Sequence, residues 1–207
     1  MKTLENTSPT LFEKHSENVR FQPEHLISTP PHFVGAKGRL PTDFFTRDVL
    51  IVAPELLGKI LVCKVNNDFL RYRITETEAY RGVEDLACHA SKGRTSRTET
   101  MYHTGGAVYV YLIYGMYWML NIVTGRENDP QAVLIRGFEG LYGPGRITRK
   151  LQIDKSFYTE DVTISHRIWI EDDGFKPLYE RGTRIGVDYA GEWKDKLWRF
   201  YIHDFHK

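Results

Sequence analysis

The sequence predicts an α+β domain: a mostly antiparallel β-sheet with surrounding helices and one protruding, aromatic β-hairpin. Three observations carry this expectation. β-rich runs bounded by turn residues outnumber helical segments, they do not alternate with helices as βαβ units would, and no internal repeat is visible. A length of 207 residues with 41% hydrophobic content is enough for one substantial core and short for two domains.

Taken in order, residues 1–38 are polar, lack sustained periodicity and contain Thr29-Pro30-Pro31, which reads as an extended, flexible lead-in. Residues 39–207 form the folded domain. A helical segment is expected over Asp48–Leu57, with Pro54 opening a second helical turn and Gly58 as its stop. Ile60–Val65 and Leu70–Tyr80 flank Asn66-Asn67-Asp68 and read as a hairpin. Val108–Tyr114 and Met116–Val123, broken by Tyr114-Gly115, form the second, aromatic pair. Further strands are expected over Ala132–Arg136, Ile168–Glu171, Arg184–Val187 and Leu197–Ile202. Gly143-Pro144-Gly145 leads into a helix that ends at Leu151, with Pro144 near its first position.

Composition narrows the function classes. No run approaches the roughly 20 apolar residues of a membrane span, and the N-terminus MKTLENTSPT lacks the apolar stretch of a secretory signal. We therefore expect an intracellular protein with no membrane partner: cytoplasm or nucleoid in a bacterium, nucleus in a eukaryote. Cys63 and Cys88 are the only cysteines, without CxxC or paired Cys/His spacing, so neither a disulfide framework nor a structural zinc site is expected. A net charge of +1 does not mark a nucleic-acid binder, and any such face must come from local clusters. The candidates are Lys92, Arg94 and Arg97 in one loop, and Arg146, Arg149 and Lys150 near the helix. Such clusters are more often plain solvated surface.

Period-two alternation in Leu70–Tyr80 puts Tyr72, Ile74, Glu76, Glu78 and Tyr80 on one face, opposite Arg71, Arg73, Thr75 and Thr77. Two carboxylates on the more apolar face mean either buried ion pairs or a cleft. Glycosidic hydrolysis needs a carboxylate to activate water or to stabilise an oxocarbenium-like sugar, and strand neighbours two apart, roughly 6.5–7 Å at Cα, permit a two-carboxylate site. His89 follows Glu84 and Asp85, but without a second histidine in that stretch or a recognisable ligand spacing a metal site is not expected. In the hairpin, Tyr111 could line a planar-ligand pocket. Tyr114, beside Gly115 at the turn, projects outward, where an aromatic side chain can wedge into a base stack. A well-packed hairpin explains the other aromatics equally well.

Glu76-Thr77-Glu78-Ala79-Tyr80, the stretch from Glu84 to His89, and Tyr109-Val110-Tyr111-Leu112-Ile113-Tyr114-Gly115-Met116-Tyr117 together resemble the alkyladenine (3-methyladenine) DNA glycosylase family. Asn121, Val133-Leu134-Ile135-Arg136, Gly143-Pro144-Gly145-Arg146, Lys155-Ser156-Phe157, Arg184-Ile185-Gly186-Val187, Ala190-Gly191-Glu192-Trp193 and Arg199-Phe200-Tyr201 follow in the same order. The resemblance spans about residues 40 to 203. No single motif is decisive, but the ordered set is specific. The loop Lys92–Thr98 is about one residue shorter than in some relatives, and the N-terminal lead-in has no counterpart.

The resemblance implies a cofactor-free, monofunctional and monomeric enzyme acting on double-stranded DNA that contains damaged purines. It flips 3-methyladenine, 7-methylguanine, hypoxanthine or ethenoadenine and hydrolyses the N-glycosidic bond, starting base excision repair. Position by position, it implies that Glu78 activates water, aided by Arg136, while Tyr80 and His89 sandwich the base and Tyr111 closes the pocket. Asn121 filters exocyclic groups, and Tyr114 fills the gap in the duplex. The Ile185 backbone, with Arg136, helps place the water and the target nucleotide, and Arg94, Arg97 and Arg146 from the two basic clusters are expected to position the DNA. Glu76 receives no catalytic role. Two other readings stay open: a nucleic-acid-binding module without catalysis, which release of free base from alkylated DNA would eliminate, and a carbohydrate hydrolase using Glu76 with Glu78, which activity on polysaccharide alone would favour.

Overall fold

The computed structural model describes residues 38–205, so all but the last residue of the predicted lead-in lies outside the described residues. The elements run α1 (Thr42–Phe45), α2 (Val49–Glu55), β1 (Ile60–Val65), β2 (Asp68–Arg81), β3 (Val108–Ile113), β4 (Tyr117–Thr124), β5 (Gln131–Phe138), β6 (Leu141–Tyr142), α3 (Pro144–Lys150), β7 (Ile168–Glu171), β8 (Glu180–Gly182) and β9 (Arg199–Tyr201). The strands join in one nine-stranded sheet with the main order β3-β4-β5-β2-β1-β7. Every ladder is antiparallel, as expected for the α+β class. Among the described residues, no helix is long and apolar enough to cross a membrane.

β2 is the spine. Its first half pairs with β1 through Asp68–Arg73. Its second half pairs with β9 through Glu76–Glu78 and, on the other edge, with β5. The strand is buried without interruption from Ile74 to Ala79, so the expected alternation of one apolar and one solvated face does not hold there. α2 covers one face, where Thr77 Oγ1 donates to Ala53 O at 2.9 Å. The core is Phe45, Val52, Leu56, Ile74, Ile135, Phe138 and Phe200, all at most 2% exposed.

α2 begins at the Asp48 cap, whose carboxylate accepts from Leu50 N at 2.8 Å, a contact typically worth about 1 kcal/mol. The other oxygen of Asp48 holds Arg81 at 2.9 Å, fastening the helix start to the end of β2. Pro54 lies inside this one helix and does not open a second turn, because the chain continues helical from Val49 to Glu55. α3 packs closely on the base of the β3–β4 hairpin: a Cβ at Gly145 would meet Tyr117 Cδ1 at 2.8 Å, so only glycine fits.

One predicted strand is absent. Arg184–Val187 forms no ladder; its backbone bends at Gly186 (φ 77°) and the Ile185 N–H bonds to a side chain. Glu180–Gly182, which carries no strong β pattern, instead pairs with β9. Cys63 and Cys88 are separate, buried free thiols, and burial pushes both up to about 12.

Candidate active site

The site forms where β2 leaves its pairing with β9. Between β2 and β5 the register slips twice, so that Thr75 has no opposite residue on β5 and Arg136 none on β2. Paired irregularities of this kind turn side chains that a regular ladder would hold in alternation. Here Arg136 reaches both strand carboxylates: Nε lies 3.5 Å from Glu76 Oε1, and Nη1 lies 3.4 Å from Glu78 Oε2.

The two carboxylates differ. Glu76 meets a second cation, Arg199 Nη1, at 3.0 Å, and sits in an ion-pair cluster. Glu78 has 0% exposure and, besides the single cation Arg136, is held by two neutral donors: Ile185 N–H to Oε1 at 2.8 Å and Tyr80 O–H to Oε2 at 2.8 Å. Burial raises the Glu78 carboxyl above its ordinary range, against the lowering effects of Arg136, the Ile185 N–H and the Tyr80 hydroxyl. Tyr80 is itself pushed well above its usual value by burial and by the Glu78 charge, so its proton stays available to that carboxylate.

Beyond Tyr80 opens a narrow slot lined by Tyr80, His89, Met101, Tyr109, Tyr111 and Asn121, with Ala87 and Ala132 completing its wall. His89 lies at the start of a 3-10 turn, where Nδ1 meets the Tyr109 hydroxyl at 2.8 Å. Its ring faces Tyr111 edge-on at 4.5 Å between centroids. Asn121, on β4, donates from Nδ2 to Tyr109 O at 3.1 Å and Met119 O at 3.3 Å, which locks the amide against the hairpin backbone. Glu78 is not on the slot wall; it lies behind Tyr80, on the side of Ile185, which is 51% exposed.

His89 is held neutral. Burial, then Arg97 and Lys92, lower it from its usual 6.5 to about 4. Since the folded-state value is the lower one, the stability it contributes is present above about 6.5 and is lost as pH falls through about 4. An NMR titration of the His89 imidazole should therefore show a midpoint near 4 in the folded protein. A midpoint near 6.5 would mean that the ring is solvated and not part of an enclosed slot.

The remaining candidates lie outside this centre. Tyr114 is 83% exposed at the tip of the β3–β4 hairpin, with φ 52° followed by Gly115 at 70° and closure by Met116 N–H to Ile113 O at 3.1 Å. Arg97 is exposed, with its guanidinium 5.4 Å from the Tyr111 ring centroid. Arg146 is exposed in the first turn of α3, beside the hairpin base. Arg94 is occupied within the chain, with Nε 2.8 Å from Glu99 Oε2 and Nη1 2.9 Å from Asn128 Oδ1.

Sequence reasoning missed a buried ion pair. Arg184 and Asp85 have side chains at 0% exposure and meet through two contacts of 2.6 and 2.9 Å. The same guanidinium donates to Ala79 O and Trp193 O and lies 4.9 Å from the Tyr80 ring centroid. An arginine with one acidic partner 99 residues away leaves no local pattern to read.

A family model described as methylpurine-DNA glycosylase matches residues 43–142 and 139–206. The chain is 44% identical over 191 residues to a protein of Psychrobacter cryohalolentis, covering 78% of this chain and 90% of that one. It is 40% identical over 190 residues to one of Natranaerobius thermophilus, covering 80% and 96%. It is 47% identical over 168 residues to one of Wolbachia pipientis, covering 78% and 88%. All three bear the name "Putative 3-methyladenine DNA glycosylase".

Proposed function

The chain belongs to the methylpurine-DNA glycosylase family, and from that premise we propose that residues 39–207 are a monomeric catalytic domain that excises damaged purines from double-stranded DNA. The observation that carries the reading is the adjacency of an aromatic slot to one fully buried carboxylate that accepts from Ile185 N–H, Tyr80 O–H and Arg136. A purine stacked in a duplex hides its glycosidic bond, so it must rotate out into a fitted pocket, at a cost of a few kcal/mol that damage reduces. The slot receives the base between Tyr80 and His89, with Tyr111 closing it, and the sugar lies over Ile185.

Glu78 is the base. Of the roughly four lone-pair positions of a carboxylate, Ile185 N–H, Tyr80 O–H and Arg136 address three, which leaves one for a water proton. Water oxygen attacks C1′, Glu78 takes its proton, and the glycosidic electron pair leaves with the purine. A base methylated at a ring nitrogen leaves as a neutral molecule, so 3-methyladenine and 7-methylguanine need no added proton. Their positive charge also favours the tyrosine faces by roughly 0.5–2 kcal/mol. Hypoxanthine and ethenoadenine are flat enough for the same slot. Tyr114 takes the vacated place in the duplex, and Arg97 and Arg146 meet the phosphates. Arg94 takes the same role only by giving up its bonds to Glu99 and Asn128.

The test is incubation with duplexes that each carry one of these lesions, measuring released base, abasic sites and strand integrity. Released base with an intact abasic strand is expected. A folded protein that releases none of the four would end the proposal.

Asn121 disfavours the 2-amino group of guanine, a penalty that 7-methylguanine, which keeps that group, offsets through its ring charge and its departure as a neutral base. The two bonds of Asn121 to backbone carbonyls hold the amide too firmly to move aside. Asn121→Ser should raise guanine release by about 10–200-fold, the range over which a small change of pocket shape discriminates. It should also lower the melting temperature, because two backbone acceptors lose their partner at about 1–3 kcal/mol. Unchanged guanine rejection in a folded variant that still excises hypoxanthine would leave Asn121 a structural amide only.

A further inference from the structure

We infer that the buried Arg184–Asp85 pair is a positioning device that sets the hydrogen bond from Ile185 N–H to Glu78 and the seat of the Tyr80 ring. This inference rests on the glycosylase reading. Arg184 immediately precedes Ile185, whose N–H donates to Glu78 Oε1 at 2.8 Å. Ile185 lies in a segment without ladder bonds, so its placement depends on side chains. The Arg184 fork provides it: Nη1 donates to Ala79 O at 3.0 Å, between the two site residues of β2, and Nη2 donates to Trp193 O at 3.1 Å. Its Cζ lies 4.9 Å from the Tyr80 ring centroid on one side and 5.0 Å from Trp198 on another.

Asp85 completes the clamp. Besides Arg184, its carboxylate accepts from Arg81 N at 3.1 Å and Ala87 N at 3.0 Å, which fixes the turn that follows β2 and carries Ala87 to the slot wall. One ion pair thus ties the carboxylate strand, the slot wall and the donor segment together. A pair serving stability alone has no need to contact all three. Arginine suits the task because its planar fork engages a carboxylate and backbone carbonyls at once, which an ammonium cannot do.

The electrostatic consequence gives the pair a signature of its own. Glu78 faces Glu76 and Tyr80 on its own strand, Arg136 from β5, the Ile185 N–H and the nearby Arg184; on β9, Arg199 is engaged by Glu76. Of these, Arg136, the Tyr80 hydroxyl and the Ile185 N–H stabilise the ionised carboxylate, and the Ile185 N–H is the one that Arg184 sets. Loosening it removes a lowering influence, so the Glu78 carboxyl rises further and the acid limb of the excision rate moves to higher pH.

Arg184→Lys keeps the charge and loses the fork. The expected result is a folded protein in which single-turnover excision of 3-methyladenine falls at least about tenfold while lesion-duplex affinity stays within about threefold, a step of 1.4 kcal/mol in the transition state alone. The acid limb shifts upward, and amide hydrogen exchange at Ile185, measured without DNA, accelerates. Asp85→Asn, which keeps shape and one acceptor oxygen, carries the same test if Arg184→Lys does not fold. Wild-type excision with an unmoved acid limb overturns the inference, as does unaltered exchange at Ile185 or loss of folding in both variants. If exchange accelerates but the wild-type protein excises no lesion, the positioning stands and the glycosylase reading falls.

Discussion

Glu78→Gln should abolish excision while leaving lesion binding intact. The loss expected in single-turnover rate is at the upper end of the 10²–10⁴-fold span of general base catalysis, about 10⁴. Binding should survive because glutamine has the same shape and its amide oxygen still accepts from Ile185 N–H, the bond that holds Oε1 at 2.8 Å. Melting temperature should not fall: burial opposes the Glu78 charge, so the neutral amide suits the site, and Arg136 retains Glu76 at 3.5 Å. The raised carboxyl also predicts that wild-type activity drops on acidification at a pH above the ordinary glutamate range, and that this limb is missing from the residual rate of the variant. Glu76→Gln should cost less than about tenfold, since its charge faces Arg199 and Arg136 and not a free approach. Equal losses in the two variants would restore a two-carboxylate mechanism, and near-normal cleavage by Glu78→Gln would remove the assignment altogether.

The readable parts of this molecule were those with local patterns. The turn residues Asn66-Asn67 and Tyr114-Gly115 marked both hairpins, and Pro144 marked the start of α3, because each acts through its own backbone preference. Alternation along Leu70–Tyr80 grouped Glu76, Glu78 and Tyr80, and in the structure Arg136 contacts both carboxylates while Tyr80 donates to Glu78. The same alternation failed as a guide to burial, since α2 covers the other face and Thr75 and Thr77 are 0% exposed as well. Arg184–Val187 looked like a strand for a related reason: Ile185 and Val187 have the right composition, but the donor that a ladder would use is taken by Glu78 Oε1. The register slips that aim Arg136, and the partnership of Arg184 with Asp85, depend on long-range contacts. Arg136 became visible in the sequence only through the family resemblance, which ordered the motifs without giving their geometry, and the pairing of Arg184 with Asp85 was missed.

Tyr114→Asn should weaken base flipping about 10–100-fold while leaving the free protein as stable as before or more so. The two successive positive φ values, 52° at Tyr114 and 70° at Gly115, are those of a turn that favours Asn-Gly. A tyrosine in that conformation costs of order 1–3 kcal/mol, and at 83% exposure it regains little by burial. Leu112 and Met116 beside it are also exposed, so the tip presents an apolar wedge to solvent. Folding alone gives no reason to keep such a residue there; insertion into a base stack does. Unstacking costs a few kcal/mol, and each 1.4 kcal/mol of lost compensation is a factor of ten in the flipped population. Asparagine relieves the backbone and removes the wedge, so the two effects carry opposite signs and can be read separately. Thermal melting reports the first, and a fluorescent base analogue next to the lesion reports the second. A marked fall in melting temperature with unaltered flipping in the folded fraction would make Tyr114 a structural residue of the hairpin.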